Sequence, residues 1–372
     1  MTTSILIISP EPWSAPAVSK HHYALTLSEL GANVFYLEPP ECALDDIQLQ
    51  TLQPYPNLTL VRGPRVVPGL RFYPPLIRRW LEARWLVKLE QRTGCKFDTI
   101  WLFENSRFYD LRFAGDRLKI YHQVDLNQDF HPDLAAESAD ICFCTTDFIQ
   151  QRLVRYNPLV FKIHHGLAEF DNAEMLSTRQ LANFEQHVLH AVYIGNLDIF
   201  YLDLDLLTET VRKHHAVCFH FVGEYSETGL LRMKAQGIPN VVWWGKVLPN
   251  MIPAILERAD ALLVTYRASE YREQLASPHK MMEYLASGKV TVATYTDEYR
   301  DKRHLLEMVD YNDDFISAFD RVVNNLDEYN SPERQQARIN FARQHSYDKQ
   351  LSKIFSLLEE HGLDNKLSRE NS

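Results

Sequence analysis

In the stretch SPHKMMEYLASGK, residues 277–289, a lysine (Lys280) and a glutamate (Glu283) stand three apart, and the β-branched run VTVAT follows at once. Pro278 suits a first helical turn and Ser277 can cap it, so a helix is expected to open at 277–278. Amides of a first turn attract anions, Lys280 adds a full positive charge, and Glu283 follows one turn on along the same face. A cation with amides can hold phosphate while a carboxylate accepts hydrogen bonds from sugar hydroxyls. That pairing suits a nucleotide diphosphate sugar. The same spacing also describes a plain surface ion pair.

Such residues need a frame, and the chain alternates in a way that supplies one. SILIIS, NVFYLEP, LTLVRG, TIWLFE, LKIYHQVD, ICFCTT and VFKIHHG read as strands, with helices over 18–30, 75–92 and 147–156. Near-continuous apolar strands separated by helices indicate a parallel sheet covered on both faces. After a polar stretch the rhythm restarts with AVYIG, CFHFVG, NVVWWG, ALLVTY and VTVAT. The expected class is α/β, with two Rossmann-like, doubly wound parallel-sheet domains facing a cleft. The expected bounds are 1–170 for an acceptor domain, 171–187 for a linker and 188–345 for a donor domain. A C-terminal helix and frayed tail, 346–372, are expected to follow, the helix able to pack back on the first domain. Open sheets of this kind bind ligands at strand C-terminal ends. Gly195, Gly223 and Gly245 fall there, where a glycine lets a ligand approach the backbone, although each also fits a tight turn.

The bulk numbers are those of a globular protein. A length of 372 residues argues for two domains, and 45% hydrophobic with 24% charged residues is ordinary. The net charge of −10 argues against general nucleic-acid binding. Five cysteines form no CxxC pair. Cys142 and Cys144 share a strand face, and with Cys218 they read as reduced thiols of a cytosolic protein. The stretch MTTSILIISPEP has no basic region and only a short apolar run, so it reads as a first strand and not a signal peptide. No run approaches a bilayer span, so any membrane contact is expected at the surface.

The order of several motifs is similar to that of the GT-B glycosyltransferases. SPHKMMEYLASGKVTVAT resembles their donor-site segment, and YIGNLD with FHFVGE resembles the start of their second domain. ADICFCTTDFIQQRLVRYNPLVFKIHHGLAEFD resembles their last N-terminal-domain strands. SPEPWSAPAVSKHHYALTLSELGANVFYLEPP resembles the N-terminal loop and helix of bacterial polysaccharide members of the teichuronic-acid and xanthan types. The resemblance implies that Lys280 contacts the donor diphosphate and Glu283 the ribose. It implies that Gly195, with Gly223, lies near the phosphates and that backbone at Gly245 and Val247 frames the base, with Tyr266 and Ser277 close by. Asp125, in YHQVD, matches an aspartate serving as catalytic base; it also fits a helix cap at a strand end. The pattern departs in places. Leu275 stands where many members have a first glutamate, GNLDIFYLD lacks an evident Arg and Lys pair, and His122 replaces a frequent aspartate.

Other residues could join the chemistry. Ser19, His21, His22 and His122 are candidates for the acceptor side of the cleft, though both adjacent histidines also fit a surface position. His164 and His165 point to opposite strand faces and so cannot chelate together. The DLD at 203–205 reads as a helix opening. Between 62 and 92 the chain is basic and aromatic. There Arg78, Arg79, Trp80, Arg84, Trp85 and Lys88 form a candidate face for an anionic membrane surface, or the basic rim of a packed helix. The expectation is a cytoplasmic glycosyltransferase, possible as a peripheral protein on the inner membrane face. It would transfer from a nucleotide diphosphate sugar, UDP-linked, to a lipid-linked or glycan acceptor, without metal or further cofactor. A nucleotide-sugar epimerase and a non-catalytic nucleotide-sugar scaffold are the alternatives.

Overall fold

The computed structural model describes residues 3–126, 129–168, 174–185, 189–226, 238–273, 275 and 277–363. It separates into two compact units, Met1–His165 with Tyr347–Ser372, and Gly166–Ser346.

The first unit holds an eight-stranded sheet ordered β3-β4-β2-β1-β5-β6-β7-β8. The strands are β1 (Ser4–Ile8), β2 (Asn33–Leu37), β3 (Gln48–Leu52), β4 (Tyr55–Arg62), β5 (Thr99–Leu102), β6 (Leu118–Gln123), β7 (Ile141–Cys144) and β8 (Val160–Lys162). All pairings are parallel except that of β3 with β4. β1, β5 and β7 are buried along their whole length, in keeping with their mostly apolar composition. β3 was not expected: QLQTL is polar and exposed, as befits an edge strand. Helix α1 (Ser19–Glu29) buries Tyr23, Ala24 and Leu27, and helix α2 (Pro75–Thr93) ends at Gly94 in the left-handed conformation. The C-terminal helix Tyr347–Glu360 buries Leu351, Ile354 and Leu358, and Tyr347 stacks on His22 of α1 with ring centroids 4.8 Å apart. Cys142, Cys144 and Cys218 are buried thiols.

The second unit carries six parallel strands ordered β11-β10-β9-β12-β13-β14. They are β9 (Leu189–Ile194), β10 (Val217–Val222), β11 (Val241–Gly245), β12 (Ala261–Val264), β13 (Val290–Ala293) and β14 (Glu307–Met308). Strand order reverses between β9 and β12, the place where an open α/β sheet leaves a crevice. Backbone bonds continue past the strand ends: Gly195 N–H donates to Val222 O at 2.8 Å, and Gly223 N–H to Gly245 O at 2.9 Å.

The helix Lys280–Ala286 starts later than its sequence suggests. Its N-cap is His279, and no side chain caps it, so Ser277 does not take that role. It is fixed from its buried face. Tyr284 Oη accepts from Ile194 N–H at 2.8 Å and donates to Leu263 O at 3.3 Å, tying the helix to β9 and β12. From behind, the buried guanidinium of Arg338 donates to the carbonyls of Gly288, Leu305 and Tyr329 at 2.7–2.9 Å. A charged donor among three carbonyls is a rigid brace.

Gly195 and Gly223 have φ of 141° and 138°, and a Cβ on Gly223 would fall 2.1 Å from Gly195 O. Gly245, at φ 68°, would meet nothing within 4 Å. Gly223→Ala is therefore expected to destabilise the second unit by at least about 2 kcal/mol through strain and clash. Gly245→Ala, which meets strain alone, should cost about 1 kcal/mol. Urea unfolding of both variants checks the ranking, and equal midpoints would refute it.

Candidate functional site

Six of the second unit's sequence candidates, Gly195, Gly223, Gly245, Tyr266, Lys280 and Glu283, come together at the C-terminal ends of β9, β10, β11 and β12. The centre is Lys280. Its residue surface is half-buried, but Nζ is shielded from solvent and has no hydrogen-bond partner among the described residues. The ammonium lies 3.7 Å from the ring centroid of Tyr193 and 5.3 Å from that of Tyr266. Aromatic faces offset part of its lost hydration. The two tyrosines are hydrogen-bonded to each other, and Tyr266 is itself buried. A Cβ built on Gly195 would stand 2.9 Å from Lys280 Nζ and 3.3 Å from Tyr193 Oη. A side chain at Gly195 would thus crowd the cation.

Burial pushes the Lys280 ammonium down to about 7, with Glu283 opposing the shift. Burial pushes the Glu283 carboxyl up to about 7, with Lys280 opposing. Desolvation exceeds their mutual attraction in both. Around this pair, Gly223 and Gly245 end the neighbouring strands, and Val247 is half-buried against the core. Ser277 is half-buried. Leu275, where the family pattern has a glutamate, is buried in the core of this unit. The loop after β9 is held by Asp203. One of its carboxylate oxygens accepts from Leu206 N–H at 3.1 Å and the other from Asn312 at 2.7 Å, so the DLD motif is structural. Tyr193, the ring under the cation, was missed by sequence reasoning; its only signal is two residues' separation from Gly195 on β9.

The first unit's candidates are more involved in the fold than expected. Asp125 is half-buried just beyond β6, and Gln123 Nε2 donates to its carbonyl at 3.3 Å. His122 is buried among Phe103, Trp101 and Tyr23, and burial, aided by Lys20, pulls it down to about 3, so it is a neutral ring at any ordinary pH. His21 is buried as well: Nδ1 accepts from Val18 N–H at 3.2 Å, while Nε2 lies 3.2 Å from Pro12 O and 3.1 Å from Tyr36 Oη. Burial holds it down at about 4. Ser19 Oγ lies 3.0 Å from His165 Nδ1 and accepts from Tyr347 Oη at 3.3 Å. These roles explain why neither His21 nor Ser19 is at the surface. Lys20, also buried, pairs with Glu11.

The basic segment needs correction. Arg78 is 3% exposed, lying 3.6 Å over the ring of Tyr109, and so belongs to no surface face. Trp85 packs on Phe108. Arg79 is bound to Asp110 at 2.9 Å, and Lys88 to Asp46 at 2.8 Å. What is exposed is apolar as well as basic: Phe72, Leu76, Ile77 and Trp80, with Arg84 over the Trp80 ring.

One cluster with metal-ligand chemistry occurs among the described residues, His190, Cys218 and His220 in the second unit. Trp244 Nε1–H donates to His220 Nδ1 at 3.1 Å, so the proton of that ring sits on Nε2, which lies 3.0 Å from His190 Nδ1. A cation there would have to displace a proton already engaged in a hydrogen bond.

Comparison with known proteins agrees with this frame. Residues 189–325 match the model of the family Glycosyl transferases group 1. TuaH of Bacillus subtilis (strain 168), named as a teichuronic acid biosynthesis glycosyltransferase, is 31% identical over 203 residues. That match takes in 50% of this chain and 49% of the relative, so it spans about half of the relative's length. Sucrose-phosphate synthase from Thermosynechococcus elongatus superposes with a TM-score of 0.71 at 12% identity, over 97% of this chain and 100% of that one. Anabaena Alr3699/HepE, solved in complex with UDP-glucose, gives 0.67 at 15% identity, over 96% and 99%. Residues 189–325 of the second unit are therefore similar to the group 1 glycosyl transferases, and the chain as a whole has the GT-B fold.

Proposed function

We propose that the protein is a glycosyltransferase that moves a sugar from a UDP-sugar to a lipid-linked or glycan acceptor in bacterial surface polysaccharide synthesis. The observation that carries this reading is the Lys280 ammonium: buried, without a hydrogen-bond partner among the described residues, and fronted by the bare backbone of Gly195. A fixed cation in a desolvated site stabilises charge that develops on a departing diphosphate. Glu283, one turn along, would accept from ribose hydroxyls, and Gly245 and Val247 would frame the base. The named relatives support donor and pathway: one is solved with UDP-glucose, and one is named for teichuronic acid. Asp125 would take the acceptor hydroxyl's proton as that oxygen attacks the anomeric carbon. With Lys280 meeting the leaving charge, transfer would proceed without added metal. A scaffold that binds donor without turnover is the reading to beat, and buried Leu275 in place of a glutamate is the observation in its favour.

Lys280→Met is expected to weaken UDP-glucose binding roughly tenfold to a hundredfold, the worth of a charge-assisted contact. Binding should also take up a proton. With the free ammonium held at about 7, it is already charged at pH 6 and largely neutral at pH 8.5. An incoming diphosphate raises it, so uptake should be small at pH 6 and approach about one proton at pH 8.5. Calorimetry in buffers of different ionisation enthalpy measures this. Uptake that persists at pH 8.5 in Lys280→Met would remove the lysine from the site.

Asp125→Asn should lower turnover by about 10²–10⁴-fold while leaving donor affinity unchanged. Binding without turnover on any acceptor in the parent protein would establish the scaffold reading, and loss of activity with EDTA would end metal independence.

Phe72, Leu76, Ile77 and Trp80 together with nearby arginines would rest on an anionic membrane. In flotation, the protein should rise with vesicles containing phosphatidylglycerol and less with phosphatidylcholine alone, and Leu76→Glu with Trp80→Glu should abolish this. Salt-insensitive or absent flotation would refute docking.

A further inference from the structure

The first unit contains a cavity of about 580 Å³ walled by α2 and by the segment between β4 and α2. Five arginines line it against one carboxylate, Glu38. In a chain of net charge −10 that asymmetry needs an explanation. Two of the arginines are spoken for. Arg62 Nε binds Glu38 at 2.5 Å, and Arg107 donates to Glu104 at 3.0 Å and to Ser9 O at 2.7 Å. The other three are less well matched. Arg65 and Arg71 have no carboxylate partner among the described residues, and Arg71 lies 4.7 Å over the ring of Phe72. Arg78 is the informative one. It is 3% exposed, yet its Nε has no hydrogen-bond partner, and its contacts with Glu82 and Asp110 are long, 3.5 and 3.9 Å. Burial also pushes the Glu82 carboxyl up to about 8, so at neutral pH it balances little of the Arg78 charge. A buried guanidinium left this way is costly unless an anion completes it.

The remaining wall is apolar: Ile47, Val66, Val67, Phe72, Trp85 and Phe108. Phe72 is also 77% exposed, so this wall runs out of the cavity toward exposed Leu76, Ile77 and Trp80. A free inorganic anion would leave that surface unused.

We propose that this cavity binds a phosphate carried on a long hydrocarbon chain, with the phosphate on Arg65, Arg71 and Arg78 and the chain along Phe72 toward Leu76 and Trp80. Guanidinium groups suit a dianionic phosphate because their donors match its oxygens. The hydrocarbon leaves water for an aromatic and aliphatic surface. This deepens the glycosyltransfer reading by naming the acceptor as a lipid phosphate. It rests on that reading for the acceptor's role, not for the binding.

The test is titration of the full-length protein with farnesyl phosphate, farnesol and inorganic phosphate, each followed by calorimetry. Farnesyl phosphate should bind at least about tenfold more tightly than either fragment. Arg71→Gln, at the exposed rim, and Arg78→Met should each weaken it roughly tenfold to a hundredfold, and Arg212→Gln, at an exposed position of the second unit, should leave it unchanged. The rim variant keeps the test decisive if the buried one does not fold. Equal affinity for inorganic phosphate, no binding of farnesyl phosphate, or indifference to Arg71→Gln would each overturn the proposal. A UDP-glucose thermal shift on the same protein separates the two readings. A Lys280-dependent shift without farnesyl phosphate binding sinks only the cavity. Farnesyl phosphate binding without any shift supports the cavity and sinks the donor site.

Discussion

The second unit's candidate site depends on two chain segments approaching closer than any side chain would permit. Gly195 and Gly223 meet backbone to backbone at the ends of β9 and β10, and the Lys280 ammonium stands where a Cβ on Gly195 would be crowded. Each element behind that contact serves to hold it. Tyr284 binds the lysine's helix to β9 and β12, and Arg338 braces the far end of the same helix through Gly288 O. The helix has only seven residues and no side-chain cap, so its own end effects are weak. Tertiary fastening, rather than helix propensity, decides where Lys280 points.

The two charges of this site differ from the other buried charges in the protein. Lys20 is as buried as any residue but has Glu11, and Arg338 is fully supplied with carbonyl acceptors. Those cations are structural, because each is held by an opposite charge or by carbonyl acceptors within the fold. Lys280 is held only by aromatic faces and by Glu283, and the pair meets near neutrality because solvent has been removed from both. Incomplete satisfaction, not burial, separates a binding group from a brace. Arg78 in the first unit is likewise buried with an Nε that has no hydrogen-bond partner.

The parts of this that could be read from sequence were those governed by local pattern. Parallel strands buried on both faces announce themselves as apolar runs, and every strand of the two sheets except β3 and the two-residue β14 was found that way. β3 escaped because an exposed edge strand of alternating glutamines has no apolar face to display. The pairing of Lys280 with Glu283, and the glycines at strand ends, followed from spacing and from family likeness together. What spacing could not reveal was which way a side chain turns. Arg78 and Arg79 are neighbours in a basic helix, yet one is buried over Tyr109 and the other is at the rim on Asp110. His21 and His22 divide in the same manner, one inside against Tyr36 and one stacked on Tyr347.

That division bears on how a basic, aromatic segment should be understood. Counting charges along 62–92 suggests a uniform electrostatic face, but each cation has a different situation. Lys88 is engaged by Asp46, Arg79 by Asp110, and Arg62 by Glu38. Once those pairs are removed, the positive charge left is concentrated where aromatic and aliphatic side chains are also exposed or line a hollow. Charge without a partner next to apolar surface without cover has a single economical solution, a ligand or surface that is anionic at one end and hydrocarbon at the other.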